Sequence, residues 1–412
     1  MKPALGWAGL SRSALRRAEA QLTADSQGVR DEIGVLALHT AYANRFFPGT
    51  SVQQTRLRYA VFIPWQIQAL LRDEAKVAPG QARAALEQAE FQLAKRLPDI
   101  DGEGTIGRET VKKGRGVSIP PSQSYWVALS AWGILVNGPD GATPSRGELF
   151  SRWKQWPDGR VRRREIDDEK RALDPVPRLF RPDLPPPLRA FLGERPLDFV
   201  LRPDERAFLR KRLIETRRAF DGQPSFLASL ARDEVVPGEG LRMWSKRLVR
   251  HADAADRKAL VRAEHAAALS AVARSLYNAA VEALQDKRDQ RQPGEKHRER
   301  LQAVLAEHAP SALRLDLNEL PEDGVLIGGL QQVLSAVQAW IKGKRRDPLE
   351  QRVFEVMSSW ELRRKGSRRA KLTCSTYGRE ARELWRAEET AEAVPINFRW
   401  DLIRTYLRDL AE

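Results

Sequence analysis

The chain has 412 residues, of which 42% are hydrophobic and 30% charged, a balance that excludes a disordered polymer and leaves length for two or three domains with their own cores. Lys and Arg number 70 against 55 Asp and Glu, a net charge of +15. Such a surplus makes nucleic acid the leading class of partner, although an Ala-, Arg- and Leu-rich composition would give a surplus without one. Cys374 is the single cysteine, so an intramolecular disulfide and a cysteine-rich zinc site are excluded. The N-terminus lacks a signal-peptide core, and no apolar run approaches the roughly 20 residues of a membrane span. A cytoplasmic protein with no membrane partner is expected.

Apolar residues recur at three and four along most of the chain, which predicts a mainly α protein. Ser11 is a suitable N-cap for a first helix to Leu22, and a second pattern over residues 30–47 stops at Phe47-Pro48-Gly49-Thr50. Ser51 then offers a cap for a helix over residues 51–71, which Pro64 should kink or divide. A fourth helix is predicted over residues 80–97. The Gly- and Pro-rich stretch 99–122 reads as an exposed loop with room for short strands, and it leads into an aromatic helix ending at Gly133. Periodicity weakens from Asn137 to Pro196, where Pro185, Pro186 and Pro187 mark the most proline-dense strip.

Beyond it, residues 202–220 place Asp204 and Glu205 at the start of a helix and Arg217 and Arg218 near its end, as a helix dipole favours. Residues 256–288 are Ala-rich, with Leu269, Val272, Leu276 and Ala280 on one face, and predict the central helix of the second half. Helices near 295–307, 328–342, 348–364, 378–390 and 399–410 follow. The sequence thus divides into an N-terminal helical domain (1–136), a Pro-rich linker or irregular region (137–196) and a C-terminal helical bundle (197–412).

No catalytic motif survives inspection. The five histidines, His39, His251, His265, His297 and His308, never pair at the four-residue spacing of a zincin helix. His251 and Asp253 lack the further ligands of a phosphohydrolase site, and His265 reads as a partly buried helix residue. There is no phosphate-cradling G-x-x-x-x-G-K-[ST] loop, and the paired glycines Gly328 and Gly329 carry no dinucleotide fingerprint. Cys374 lies among Arg368, Arg369, Lys371 and Arg379, a setting that lowers thiol pKa values, yet a lone cysteine there is usually incidental. Asp167, Asp168 and Glu169, followed by Lys170, resemble a fragment of an acidic metal site but sit in a charge-mixed run better read as a solvated face. No cofactor and no metal is implied.

The basic clusters carry more. Arg363, Arg364, Lys365, Arg368, Arg369 and Lys371 put six cations and no anion into nine positions. Gly366 and Ser367 break the helix there, so the cations can spread along a phosphate backbone, and Trp360 and Tyr377 flank them as stacking candidates. A solvated loop or an acidic protein partner is the competing account. A second cluster, Lys112, Lys113 and Arg115, precedes the aromatic helix. That loop and helix suit a winged-helix-like element, with Gln123, Ser124 and Ser130 for polar contacts; the other account makes Tyr125, Trp126, Leu129 and Trp132 plain core.

The segments Asp31-Glu32-Ile33-Gly34, Phe47-Pro48-Gly49-Thr50-Ser51, Gln54-Thr55-Arg56-Leu57-Arg58-Tyr59 and Pro64-Trp65 resemble a bacterial family of unknown function. Its members open with Gly-Trp, matched by Gly6-Trp7, and continue through blocks similar to Ile106-Gly107-Arg108, Tyr125-Trp126 and Trp132-Gly133-Ile134. Ser275 to Asn278 and Phe398-Arg399-Trp400 are similar to later blocks. The resemblance implies a setting in anti-phage defence islands, beside helicases and phospholipase-D-like nucleases, and brings no established activity. Read physically, a Pro-Gly turn fixes two helices, with two uses open for its polar residues. Thr50, Ser51 and a helix N-terminus would bind phosphate, with Gln54 and Arg58 on one helical face; or the same side chains form a buried network around Tyr59, Phe62 and Trp65.

The expectation is a non-catalytic subunit that binds DNA or RNA, or acts as an adaptor, in a multi-protein defence system. A metal-dependent nuclease with a degenerate acidic site and a protein–protein scaffold are the alternatives.

Overall fold

The computed structural model describes residues 32–72, 77–99, 102, 104–138, 141–156, 178–291, 294–344 and 347–412. The Gly6-Trp7 block, the helix expected after Ser11 and the Asp167–Lys170 run lie outside them. The fold is mainly α; among the described residues the only β pairing is two isolated bridges, Leu135 with Phe180 and Arg217 with Pro224. Two compact units interleave in sequence: Met243–Phe398 with the residues up to Tyr42, and Ala43–Arg242 with Arg399–Glu412. They are called here the long-helix unit and the motif unit. α1 (Val35–Phe46) runs through the division at Tyr42.

The motif unit contains α2 (Tyr59–Arg72), α3 (Ala82–Arg96), α4 (Arg108–Lys112), α5 (Pro121–Ala131), α6 (Arg146–Ser151), α7 (Arg189–Leu192), α8 (Pro203–Ile214) and α9 (Phe226–Arg232). α2 packs on α3 and α5, and α8 on α9. Pro64 lies inside α2 without ending it. The helix expected from Ser51 begins only at Tyr59. Its would-be first turns are held by side chains instead of by i−4 carbonyls: the Thr55 and Arg56 amides donate to the Tyr125 hydroxyl (2.9 and 3.1 Å), and the Leu57 amide to Asp409 (2.8 Å). α5 starts with Pro121 in its first turn and takes an external cap, the Glu90 carboxylate accepting from the Ser122 amide at 2.5 Å. Tyr125, Leu129 and Trp132 are core and Trp126 is half-buried; no strand pair accompanies this helix among the described residues to make a wing.

The long-helix unit contains α10 (Lys246–Val249), α11 (Ala254–Lys287), α12 (Lys296–Ala312), α13 (Leu330–Lys342), α14 (Gln351–Lys365) and α15 (Thr376–Glu383). α16 (Trp400–Asp409) closes the chain in the motif unit, against α9. Asp253 caps the 34-residue α11 by accepting from the Asp256 amide at 2.7 Å. From Ala266 to Gln285 every residue but Arg274 is buried, the pattern of a helix surrounded by its neighbours. Its alanines let α12 pack along it closely. Glu282 of α11, fully buried, accepts from the His297 and Arg298 amides (3.1 and 2.9 Å) and so satisfies the first turn of α12.

The Pro-Gly turn after α1 tolerates only glycine. Gly49 has φ +81°, and a Cβ there would lie 2.8 Å from both Ala131 Cβ and Trp132 Nε1. Gly49→Ala is expected to cost about 2–4 kcal/mol, combining left-handed backbone with forced overlap. Gly116→Ala, with open space around the added carbon, should stay within about 0.5 kcal/mol. Urea unfolding of the two variants measures the difference.

Candidate nucleic-acid interface

α14 ends at Lys365 because Gly366 turns to φ +73°, and the chain then crosses the surface as a loop to α15. This arrangement separates the six cations by depth. Arg363, Arg364, Arg368 and Arg369 are exposed, whereas Lys365 and Lys371 are half-buried and point inward. Both inward lysines serve Glu32: Lys371 Nζ lies 3.1 Å from its carboxylate, and Lys365 makes a closer pair with it and a 2.9 Å pair with Glu361. Burial works against the Glu32 charge, but Lys365 and Lys371 hold its pKa below the usual range.

Glu361 is wholly buried, accepts from Tyr277 of α11 at 2.5 Å and from the Leu372 amide at 2.8 Å, and thereby ties α14, α11 and the basic loop together. Burial, then the Glu361 and Glu32 carboxylates, push the Tyr277 hydroxyl well above its ordinary pKa. A second buried pair holds the far end of the loop. Arg382 bonds Asp289 in bidentate fashion (2.7 and 2.9 Å) and donates to the carbonyls of Lys371 and Thr373. The loop is therefore clamped from below at both ends while four arginines face solvent.

Trp360 is not an open stacking platform. Its indole N–H donates to the Ile33 carbonyl at 2.7 Å, and its ring edge fills the space a side chain at Gly329 would need. The Arg363 and Arg364 guanidiniums stand 5.8 and 5.9 Å from the ring centre. Tyr377 is exposed. Lys112, Lys113 and Arg115 are exposed at the end of α4 in the motif unit, Lys112 pairing with Asp99 at 3.0 Å. Among the described residues, no three His, Cys, Asp or Glu side chains gather to hold a metal ion. His297 is buried with its ring nitrogen 3.0 Å from the Ala387 carbonyl, and burial and Arg314 lower the pKa of His265.

In the motif unit, Phe47, Thr50, Ser51, Gln54, Arg58 and Tyr59 are buried, and Pro48, Thr55 and Arg56 half-buried. Their bonding capacity is used internally. The Gln54 amide donates to the Gly49 and Ser124 carbonyls, both at 3.0 Å, and accepts from Tyr406 at 3.0 Å. Thr50 donates to the Phe47 carbonyl at 2.7 Å, and the Trp132 indole donates to Pro48 at 2.9 Å. Arg399 donates to the Thr50 carbonyl at 2.6 Å and to Asn44 at 2.9 Å. Arg56 pairs with Asp409 at 2.8 Å. Arg58 makes a bidentate pair with Glu205 (2.8 and 2.9 Å) and reaches Asp198. No helix N-terminus stands at Ser51, and Gln54 and Arg58 share no helical face, because α2 starts after them.

Residues 3–146 match a family of unknown function (DUF6361). That match takes in the Phe47–Tyr59 segment and the Lys112–Arg115 loop and ends well before the Arg363–Lys371 cluster. No curated protein and no solved structure matches the chain. The residues that complete the DUF6361 segment's polar network, Glu205, Arg399, Tyr406 and Asp409, lie outside the match. Sequence reasoning missed their pairings, as it missed those of Glu32, Tyr277 and Glu361. Glu361–Lys365, at i,i+4 on a helix, had a local pairing signal; Glu32, Tyr277 and Arg399 fall in blocks that carry the resemblance and Glu205 at a helix start, without any indication of their partners.

Two variants test this account of the motif unit. Arg58→Ala leaves Glu205 buried and unpaired, so a loss of about 3–5 kcal/mol is expected in denaturant unfolding; unchanged stability would return Arg58 to a ligand-binding role. Glu90 gives a pH signature. Burial pushes its pKa up from 4.5 to about 7 against the Ser122 hydrogen bonds and Arg146. With the folded value above the unfolded one, its contribution is fully present below pH 4.5 and is lost as pH rises through 7. Relative to Glu90→Gln, the parent should lose unfolding midpoint steadily across that window.

Proposed function

We propose that the protein is a non-catalytic nucleic-acid-binding subunit, with Arg363, Arg364, Arg368 and Arg369 as its phosphate contacts. The observation that carries this reading is their separation by depth: Lys365 and Lys371 pair inward with Glu32 and Glu361, and Arg382 with Asp289, while Arg363, Arg364, Arg368 and Arg369 are exposed on a clamped support. A clamped loop limits the ordering entropy lost on binding, and arginine forks suit phosphate geometry. Lys112, Lys113 and Arg115 are a second, separate set of contacts in the motif unit. The Phe47–Tyr59 segment is assigned to folding. Catalysis falls to partner enzymes, a helicase or a phospholipase-D-like nuclease, in the defence setting that the resemblance implies.

Binding of labelled DNA and RNA across a salt series tests the reading. The parent should bind with a steep salt dependence, with or without magnesium, and without cleavage. Reversal of Arg363, Arg368 and Arg369 to Glu should weaken binding more than tenfold and lower the log–log salt slope by about 2–3, at roughly 0.7–0.9 per phosphate contact. Absence of binding at low salt, or an unchanged slope in the variant, overturns it.

A further inference from the structure

The long-helix unit carries a cleft of about 540 Å³ between α13 and α14, and nothing described so far uses it. Gln331, Gln332, Ser335 and Ala339 line one side over two turns of α13, and Arg352 and Val356 of α14 line the other; none of the lining residues is acidic. Arg352 is exposed and forms no ion pair among the described residues. It lies eleven residues before Arg363 on the same helix, a separation that brings α14 round to nearly the same face, roughly 16 Å further along the axis. Val356 and Ser359 fall on the stripe between them. Gly328 lines the cleft, its neighbour Gly329 packs against the Trp360 ring, and Arg363 stands 5.8 Å from the centre of that ring, so the cleft and the arginine cluster are neighbours on this unit.

We infer that this cleft is the seat of an unpaired nucleic-acid strand, with Arg352 and Arg363 holding its backbone at either end. The inference rests on the nucleic-acid reading above and specifies its substrate class. Three features favour an unpaired strand over a duplex. A duplex is read by convex elements that enter its grooves, whereas this surface is a slot between two helices. The floor offers carboxamides and a hydroxyl, which both donate and accept, as the open edges of unpaired bases require. Positive charge stands at the two ends of the stripe, with the neutral Val356 and Ser359 between, and no residue lining the cleft is acidic, the exposed Glu355 lying to one side of the stripe. The outward cluster at Arg368 and Arg369 touches phosphates of either form.

The test uses the full chain, labelled 12-nucleotide single strands of DNA and RNA, and the duplexes of the same sequence. Ser335→Trp fills the cleft and Arg352→Glu reverses its far end; both positions are exposed, and unchanged circular dichroism confirms that each variant is folded. The parent is expected to bind single strands more tightly than duplex. Each variant should lose at least tenfold in single-strand affinity while its duplex affinity stays within twofold. Parent-like single-strand binding by both variants, or a parent preference for duplex, overturns the cleft assignment and leaves the arginine-cluster reading standing. Absence of binding to every form by the parent overturns both.

Discussion

A charge taken out of water must find its partner at the same depth, and that requirement organises both units of this protein. Glu361 has no solvent exposure, and its carboxylate is shared among a tyrosine, a lysine and a backbone amide from three different segments. Remove any one and the others are left with an uncompensated polar group, at a cost comparable with a large part of a domain's net stability. Arg58 with Glu205 and Arg382 with Asp289 impose the same condition elsewhere. Each of these pairs joins positions distant in sequence. The hydrophobic helix faces bring the segments near one another, and the buried charges fix which residues must meet.

This explains why a count of charges reads the surface imperfectly. The surplus of 15 positive charges suggests a basic exterior, yet Arg58, Arg212, Arg218, Arg382 and Arg399 lie inside, bound to carboxylates or carbonyls. Within the Arg363–Lys371 run itself, a third of the cations face inward. Position along the strip decides which: Lys365 is the last residue of α14, one turn after Glu361, and Lys371 precedes a leucine that is buried. Arginine keeps several donors available after one bond is made, so a single buried guanidinium can serve a carboxylate and two carbonyls, as Arg382 does.

The helices were legible wherever their signals are local. The alanine-rich run gave α11, though not the Asp253 cap that starts it, and Gly366 and Gly133 marked ends that the backbone confirms with positive φ. The helix expected over 378–390 ends at Glu383, and the stretch read as a loop over 99–122 holds α4; the start of α2 was misread because its segment's backbone amides are claimed by Tyr125 and Asp409, partners about 70 and 350 residues away in sequence. No window-based pattern contains that information. The same holds for the motif itself: its residues were visible as a group, but the choice between ligand contact and internal network depended on burial. The placement of α16 in the motif unit likewise rests on contacts that no local window contains.

Glu205 has a consequence beyond its pair with Arg58. The same carboxylate accepts from the Arg202 amide at 3.2 Å and so closes the capping box at the start of α8. One side chain therefore satisfies a helix end and neutralises a buried guanidinium, and the two duties set different demands. A shorter acid reaches one partner but not the other; an amide keeps the cap and abandons the charge. Positions 58 and 205 can drift only in concert, and only through sequences that also keep the turn at residue 202, so this corner of the motif unit has far fewer accessible neighbours in sequence space than its ordinary helical appearance suggests.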